Sequence, residues 1–221
     1  MNEVKIPKKE IDSFFQIMND NQINYALITN NGDELPNNLK NGKDIDVLVS
    51  PNHIKTVDEV LERNGYLRTR HPKGRQNGWD YCYGSIEHQM WKKTIDNYEL
   101  FIDLHFQLMC SSLQPRLWIP LDKCVNNDAI NNRIFNSEIQ CYEIDDESRL
   151  IYLIVRSIFD KSSFSDTYIK EIEKRSKYFQ NNSFRYKMKK IFFNFTDTLI
   201  KMLTKQEYDT IIHRYITFDD Y

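Results

Sequence analysis

Apolar positions along the first half of the chain switch between two spacings. Over residues 7–20 they fall at Ile11, Phe14, Phe15 and Met18, the three- and four-residue rhythm of an amphipathic helix, with Pro7 suited to its first turn. Tyr25–Thr29 is a short apolar run with strand character, followed by a loop dense in Asn, Gly and Pro. In Asn41–Val49, NGKDIDVLV, the period drops to two: Asp44 and Asp46 share one face, and Ile45, Val47 and Val49 take the other. Ser50 and Pro51 then read as the cap and first turn of a helix to about Asn64, with Ile54, Val57, Val60 and Leu61 on one face and Gly65 as its stop. Strands are predicted from Tyr66 to Thr69, over a long or broken stretch from Trp79 to Lys93, and from Leu100 to Leu108. Between the first two lies the polar, basic segment His71–Gly78, read as a loop.

Beyond Leu108 the texture changes. Residues 111–144 read as irregular, with one short strand at Ile139–Ile144. From Asp145 on, the spacing is helical. One helix is capped by Asp145 or Asp146 and carries Leu150, Leu153, Ile154 and Ile158; a second is capped by Ser165 or Asp166 and carries Ile169, Ile172 and Phe179; a third spans Phe184 to Lys205. Within the third, Arg185–Lys190 reads as a solvated face. The expected fold class is α+β: a short mixed sheet with flanking helices in residues 1–110, then a mainly helical subdomain over residues 111–221.

Composition narrows the function. The chain has 221 residues, 28% charged and 40% hydrophobic, with 13% aromatic, the profile of a globular protein that needs a core to cover its rings. A net charge of -2 gives no basic field for nucleic acid, so none is expected as partner. Four cysteines, at 82, 110, 124 and 141, show no zinc spacing and no disulfide framework. No apolar run reaches the roughly 18 residues of a membrane span, and the first twenty residues lack a signal-peptide core. A cytoplasmic protein without membrane insertion is the expectation.

Chemistry concentrates in three acids. Asp103 lies inside the apolar strand LFIDLHFQL, where an ionised carboxylate is costly unless paired or bound to a cation. His105, two residues on, shares its face and is placed to orient that carboxylate, to touch a phosphate or simply to sit at the sheet edge; it is read as supporting or structural rather than catalytic. Asp44, Asp46 and Asp103 on neighbouring strands offer the oxygen ligands that Mg²⁺ or Mn²⁺ and a nucleoside triphosphate require.

The order of strand, loop, G-K-D-I-D-V-L-V, helix, strand and I-D-L-H resembles the minimal nucleotidyltransferases of the DNA polymerase beta-like superfamily. More closely it resembles a group of bacterial nucleotidyltransferases associated with surface-polysaccharide gene sets, matching at Glu34–Pro36, Gly42–Val49 and Ile102–His105. The resemblance implies transfer of a nucleoside monophosphate from an NTP to a small hydroxylated or phosphorylated acceptor. It makes Asp44, Asp46 and Asp103 both metal ligands and catalytic residues. That superfamily carries a Gly-Gly or Gly-Ser pair after its first strand to hold the triphosphate, whereas Thr29–Glu34 here has only Gly32 and two acids. Gly42, Lys43 and Arg75 are the candidate nucleotide-binding residues instead, with Arg68, Arg70 and Lys73 as further sources of positive charge. Two other readings stand beside it: a catalytically degenerate binding protein on the same fold, and a metal-dependent glycosyltransferase, which would leave too little chain before Asp44 and no task for Asp103.

Overall fold

The computed structural model describes residues 4–30, 32, 34–69, 81–82, 88–112 and 117–221. The whole basic segment 71–78, with Lys73 and Arg75, and Arg70 before it lie outside the described residues. The chain runs α1 (Lys8–Asp20), β1 (Tyr25–Leu27), β2 (Asp44–Val49), α2 (Ile54–Arg63), β3 (Leu67–Thr69), β4 (Tyr81–Cys82), β5 (Gln89–Ile95), β6 (Tyr98–His105), β7 (Met109–Ser111) and β8 (Leu117–Pro120). Then follow α3 (Lys123–Asn131), β9 (Ile134–Asn136), β10 (Cys141–Glu143), α4 (Asp146–Val155), α5 (Asp166–Lys174), α6 (Asn182–Phe192), α7 (Phe195–Thr204) and α8 (Tyr208–Thr217). The class is α+β, as the periodicities predicted.

A mixed sheet in the order β3-β5-β6-β2-β1-β10-β9 is the centre of the molecule, with a smaller β4-β8-β7 sheet beside it. Strands β2 and β6 run parallel with Asp46 directly opposite Asp103, and β1 pairs antiparallel to β2. Alternation then gives the sheet two dressed faces. Val47, Val49, Ile102 and Leu104 pack with Tyr25 and Leu27 under α1 and α2, whose Phe14, Phe15, Met18, Val57 and Leu61 are buried there. On the other face Ala26, Ile28 and Leu48 meet Leu150, Leu153 and Ile154 of α4 and the helices that follow. The three acids belong to this second face, so the helices of the later chain form the opposite wall. Among the described residues no helix is long and apolar enough to cross a membrane.

Three departures from the sequence reading have physical causes. Residues 111–144 hold, besides the strand expected at Ile139–Ile144 and found as β10, the unforeseen β8, α3 and β9, elements of three to nine residues, too short for periodicity to register. The single helix expected over Phe184–Lys205 is two, broken where Phe193 takes φ 46° and ψ -129° and turns outward, so that Phe192 and Phe195 both enter the core. Lys187, in the stretch read as solvated, is buried: its ammonium lies 2.7 Å from Glu147 and 2.5 Å from Asp128.

Candidate active site

The loop before β2 ends in a tight turn at Gly42, whose φ of +82° only glycine adopts without strain. It delivers the chain into β2 with Asp44 and Asp46 on the α4 side. Because β2 and β6 are parallel and in register, Asp103 joins them, and ligand oxygens of Asp44, Asp46 and Asp103 all lie within 4.8 Å of one another. Three carboxylates crowded so closely repel one another strongly unless positive charge is shared among them. Their all-oxygen donor set suits a hard divalent cation.

Asp103 is 2% exposed and has its own compensation. The antiparallel β5–β6 pairing sets Met90 opposite Asp103 and Gln89 opposite Leu104, and the residue beyond, His88, lies beside His105, their rings 4.9 Å apart. His88 Nε2 contacts Asp103 Oδ1, while His105 Nε2 lies 3.4 Å from Asp103 Oδ2 and 3.5 Å from Asp46 Oδ1. Burial alone would raise the Asp103 carboxyl, but the charges of His105 and His88 outweigh it and hold the acid well below the usual carboxylate range. Burial would likewise lower the His105 imidazole, yet Asp103 and then Asp46 push it up to about 10. The field that holds a proton there attracts any cation.

Facing the acids across the cleft is a wall from the later chain. Asp44, Asp46 and Lys43 line a cavity of ≈ 340 Å³ together with Thr29, Asn30, Arg156, Ser165, Thr167 and Tyr168. After α4 the chain underwinds into a wider π-helical turn, Arg156–Asp160, a geometry often found at functional sites. That turn carries Arg156 into the cavity. Its guanidinium lies over the Tyr152 ring at 5.6 Å and pairs with Asp160 at 3.3 Å, while Asp160 accepts a 2.7 Å bond from the Ser111 backbone N-H. Tyr152 and then Asp46 reinforce its positive charge, which opposes the negative one on the sheet. Ser165 caps α5 by accepting from the Tyr168 N-H, and sets the N-terminus of that helix at the same cavity.

The structure thus brings Asp44, Asp46, Asp103 and His105 together. Lys43 reaches the cavity rim, where its ammonium is 3.3 Å from Glu34. In the region where a glycine pair was sought, Asn30 instead clamps the loop by accepting from the Leu35 N-H at 2.9 Å and donating to the Leu35 carbonyl at 3.2 Å. His88 and Arg156 were missed. Arg156 had a usable signal, a lone cation in the apolar run LIYLIVRSIF, of the same kind that singled out Asp103. For His88, 15 residues from Asp103, only strand register reveals the pairing.

No curated protein matches the chain. Among solved structures it is similar to the lincosamide antibiotic adenylyltransferase LnuA, crystallised with lincomycin bound, at 14% identity and a TM-score of 0.43, over 79% of this chain and 98% of that one. A family profile matches residues 37–170, the stretch running from the loop before β2, through Asp103, to the Arg156 wall and α5. With that match over more than half its length, the chain belongs to the family described as uncharacterised nucleotidyltransferase.

Proposed function

We propose that the protein transfers a nucleoside monophosphate from an NTP to a small hydroxylated or phosphorylated acceptor, using a divalent cation held by Asp44, Asp46 and Asp103. The observation that carries this reading is the register match of Asp46 with Asp103, which gathers three carboxylates opposite a half-buried arginine. In the reaction an acceptor oxygen attacks the α-phosphorus, the bond from that phosphorus to the bridging oxygen of the β-phosphate breaks, and pyrophosphate leaves. A bound cation supplies charge neutralisation at the phosphates and acidifies the acceptor hydroxyl.

The chain's own groups have separable tasks. Asp103, kept ionised by His105 and His88, is permanently available as a ligand and a poor proton acceptor, so its part is to bind rather than to carry a proton. Arg156, braced by Asp160 and Tyr152, presents a fixed fork that suits phosphate oxygens on the leaving pyrophosphate. It replaces the charge that the superfamily's glycine loop draws from backbone N-H groups. The α5 N-terminus adds partial positive charge at the same wall. A small acceptor suits a cavity of ≈ 340 Å³ that a polymer would not enter.

The test is a panel of the four NTPs, each with Mg²⁺ or Mn²⁺, scored by thermal shift and by pyrophosphate release with polyol and sugar-phosphate acceptors. At least one NTP should raise the unfolding temperature only when metal is present, and Asp46→Asn should abolish both signals. Equal stabilisation of wild type and Asp46→Asn, with no pyrophosphate from either, would leave the degenerate binding protein as the better reading.

A further inference from the structure

The acid cleft contains a nitrogen that an all-oxygen site leaves unexplained. His105 is 5% exposed, and its Nε2 atom is buried without a hydrogen-bond partner, held only by the charge of the neighbouring carboxylates. That atom is aimed at two carboxylate oxygens, Asp46 Oδ1 at 3.5 Å and Asp103 Oδ2 at 3.4 Å, both too long for good hydrogen bonds. The spacing has another meaning. Ligands held about 2.1 Å from one metal ion lie about 3.0 Å apart at octahedral angles and about 3.4 Å apart at tetrahedral ones.

Asp103 divides its two oxygens accordingly. Oδ1 is taken by His88, and Oδ2 is the one turned to His105. A histidine fixing one oxygen of a carboxylate leaves the other oriented for a cation, the usual division between a ligand and the outer partner that aims it. The fold reaches this arrangement because His105 ends β6 on the acid face, two residues beyond Asp103, which itself pairs with Asp46.

We propose that His105 is a metal ligand: one cation in the cleft is held by its Nε2 with Asp46 Oδ1 and Asp103 Oδ2, a mixed nitrogen and oxygen set that selects a first-row transition ion such as Mn²⁺ or Co²⁺ over Mg²⁺. This rests on the cation site of the proposed function and names its chemistry. Imidazole is a ligand for transition ions, whereas Mg²⁺ prefers oxygen and holds its waters. His88 is then a positioning residue, acting through Asp103.

Metal binding to the full chain tests it without any turnover. Mn²⁺ titrated into wild-type protein should show histidine nitrogen coupling in pulsed electron paramagnetic resonance, with the coupling pattern changing when the histidines carry ¹⁵N. His105→Ala and the polar His105→Asn should lose that coupling and weaken Mn²⁺ by about tenfold or more, while Mg²⁺ changes less than about twofold. His88→Ala should keep the coupling. Mn²⁺ bound without nitrogen coupling in wild type, a result that needs no variant, overturns this assignment and leaves the nucleotidyltransferase reading standing. Coupling that survives in His105→Asn and disappears in His88→Ala overturns it too, and absence of any Mn²⁺ binding overturns both this assignment and the metal site beneath it.

Discussion

Replacing Asp103 by Asn separates what this acid does for the fold from what it does for chemistry. If carboxylate repulsion dominated, removing any of the three charges would stabilise the protein, which is what three acids read from sequence alone suggest. Asp103 differs because His88 and His105 both lie against it and its charge is favoured despite burial. Stripping a buried ion of every partner costs about 3–5 kcal/mol. His105 keeps Asp46 at 3.5 Å, and Asn can still accept from one imidazole, so the loss expected for Asp103→Asn is nearer about 2 kcal/mol. In a chain of this length that lowers the unfolding temperature by about 4–8 °C. Asp44→Asn, which takes one charge from the same cluster, is the control and should lose nothing. The assay is urea and thermal unfolding in EDTA at pH 7. Because the folded-state acid titrates below its unfolded value, the wild-type advantage exists above about pH 4 and is lost as pH falls through the folded value, so the two proteins converge in acid. An Asp103→Asn protein as stable as wild type at pH 7, or more so, would show that the histidines do not sustain this carboxylate.

Three further substitutions probe the surroundings. Arg156→Gln keeps a donor toward Asp160 but loses the cation, and should weaken NTP binding by about 10- to 100-fold, the worth of one charged hydrogen bond, while leaving Mn²⁺ affinity alone; calorimetry with metal and then nucleotide checks it. Lys187→Met leaves Glu147, 8% exposed, with the Ser183 hydroxyl at 2.8 Å but without its cation, and should cost about 3 kcal/mol by urea unfolding, with part recovered in Lys187→Met/Glu147→Gln. Phe193→Gly should raise stability by about 1 kcal/mol, because a side chain 60% exposed contributes little packing at a φ of 46° that disfavours any residue but glycine; an unchanged urea midpoint would deny the strain.

What could be read in the sequence was what alternation and helical spacing encode locally. The face shared by Asp44 and Asp46 follows from a period of two, and the buried set of α1, Ile11, Phe14, Phe15 and Met18, follows from a period of 3.6. The cost of an unpaired Asp103 was also legible, as a demand for compensation whose source was left open. The source depended on which strands pair: β5 has to run antiparallel to β6 before His88 can reach Asp103, and no local pattern specifies that. Short elements such as β9, three residues long, lie below the length at which periodicity speaks, although β9 extends the central sheet by pairing with β10, the strand that was legible at Ile139–Ile144. The break at Phe193 was hidden because Phe192 and Phe195 fit one continuous helical stripe as well as they fit two helices.

The cleft itself shows why its second wall was harder to read than its first. The acids sit on strands, where side-chain direction follows from sequence parity, so two aspartates one residue apart must point the same way. Arg156 sits on a π-turn, where the helical rotation per residue changes and spacing counted from Leu153 no longer tells where a side chain faces. The sheet face beneath the acids is apolar at Ala26, Ile28 and Leu48, and so has to be covered by α4 and its neighbours. Burial of that face therefore brings the end of α4 over the carboxylates, and a cation emerging at that end meets three anions. The packing that covers the sheet is thus the same packing that opposes the charges, and a lone arginine ending an apolar helix is the trace it leaves in the sequence.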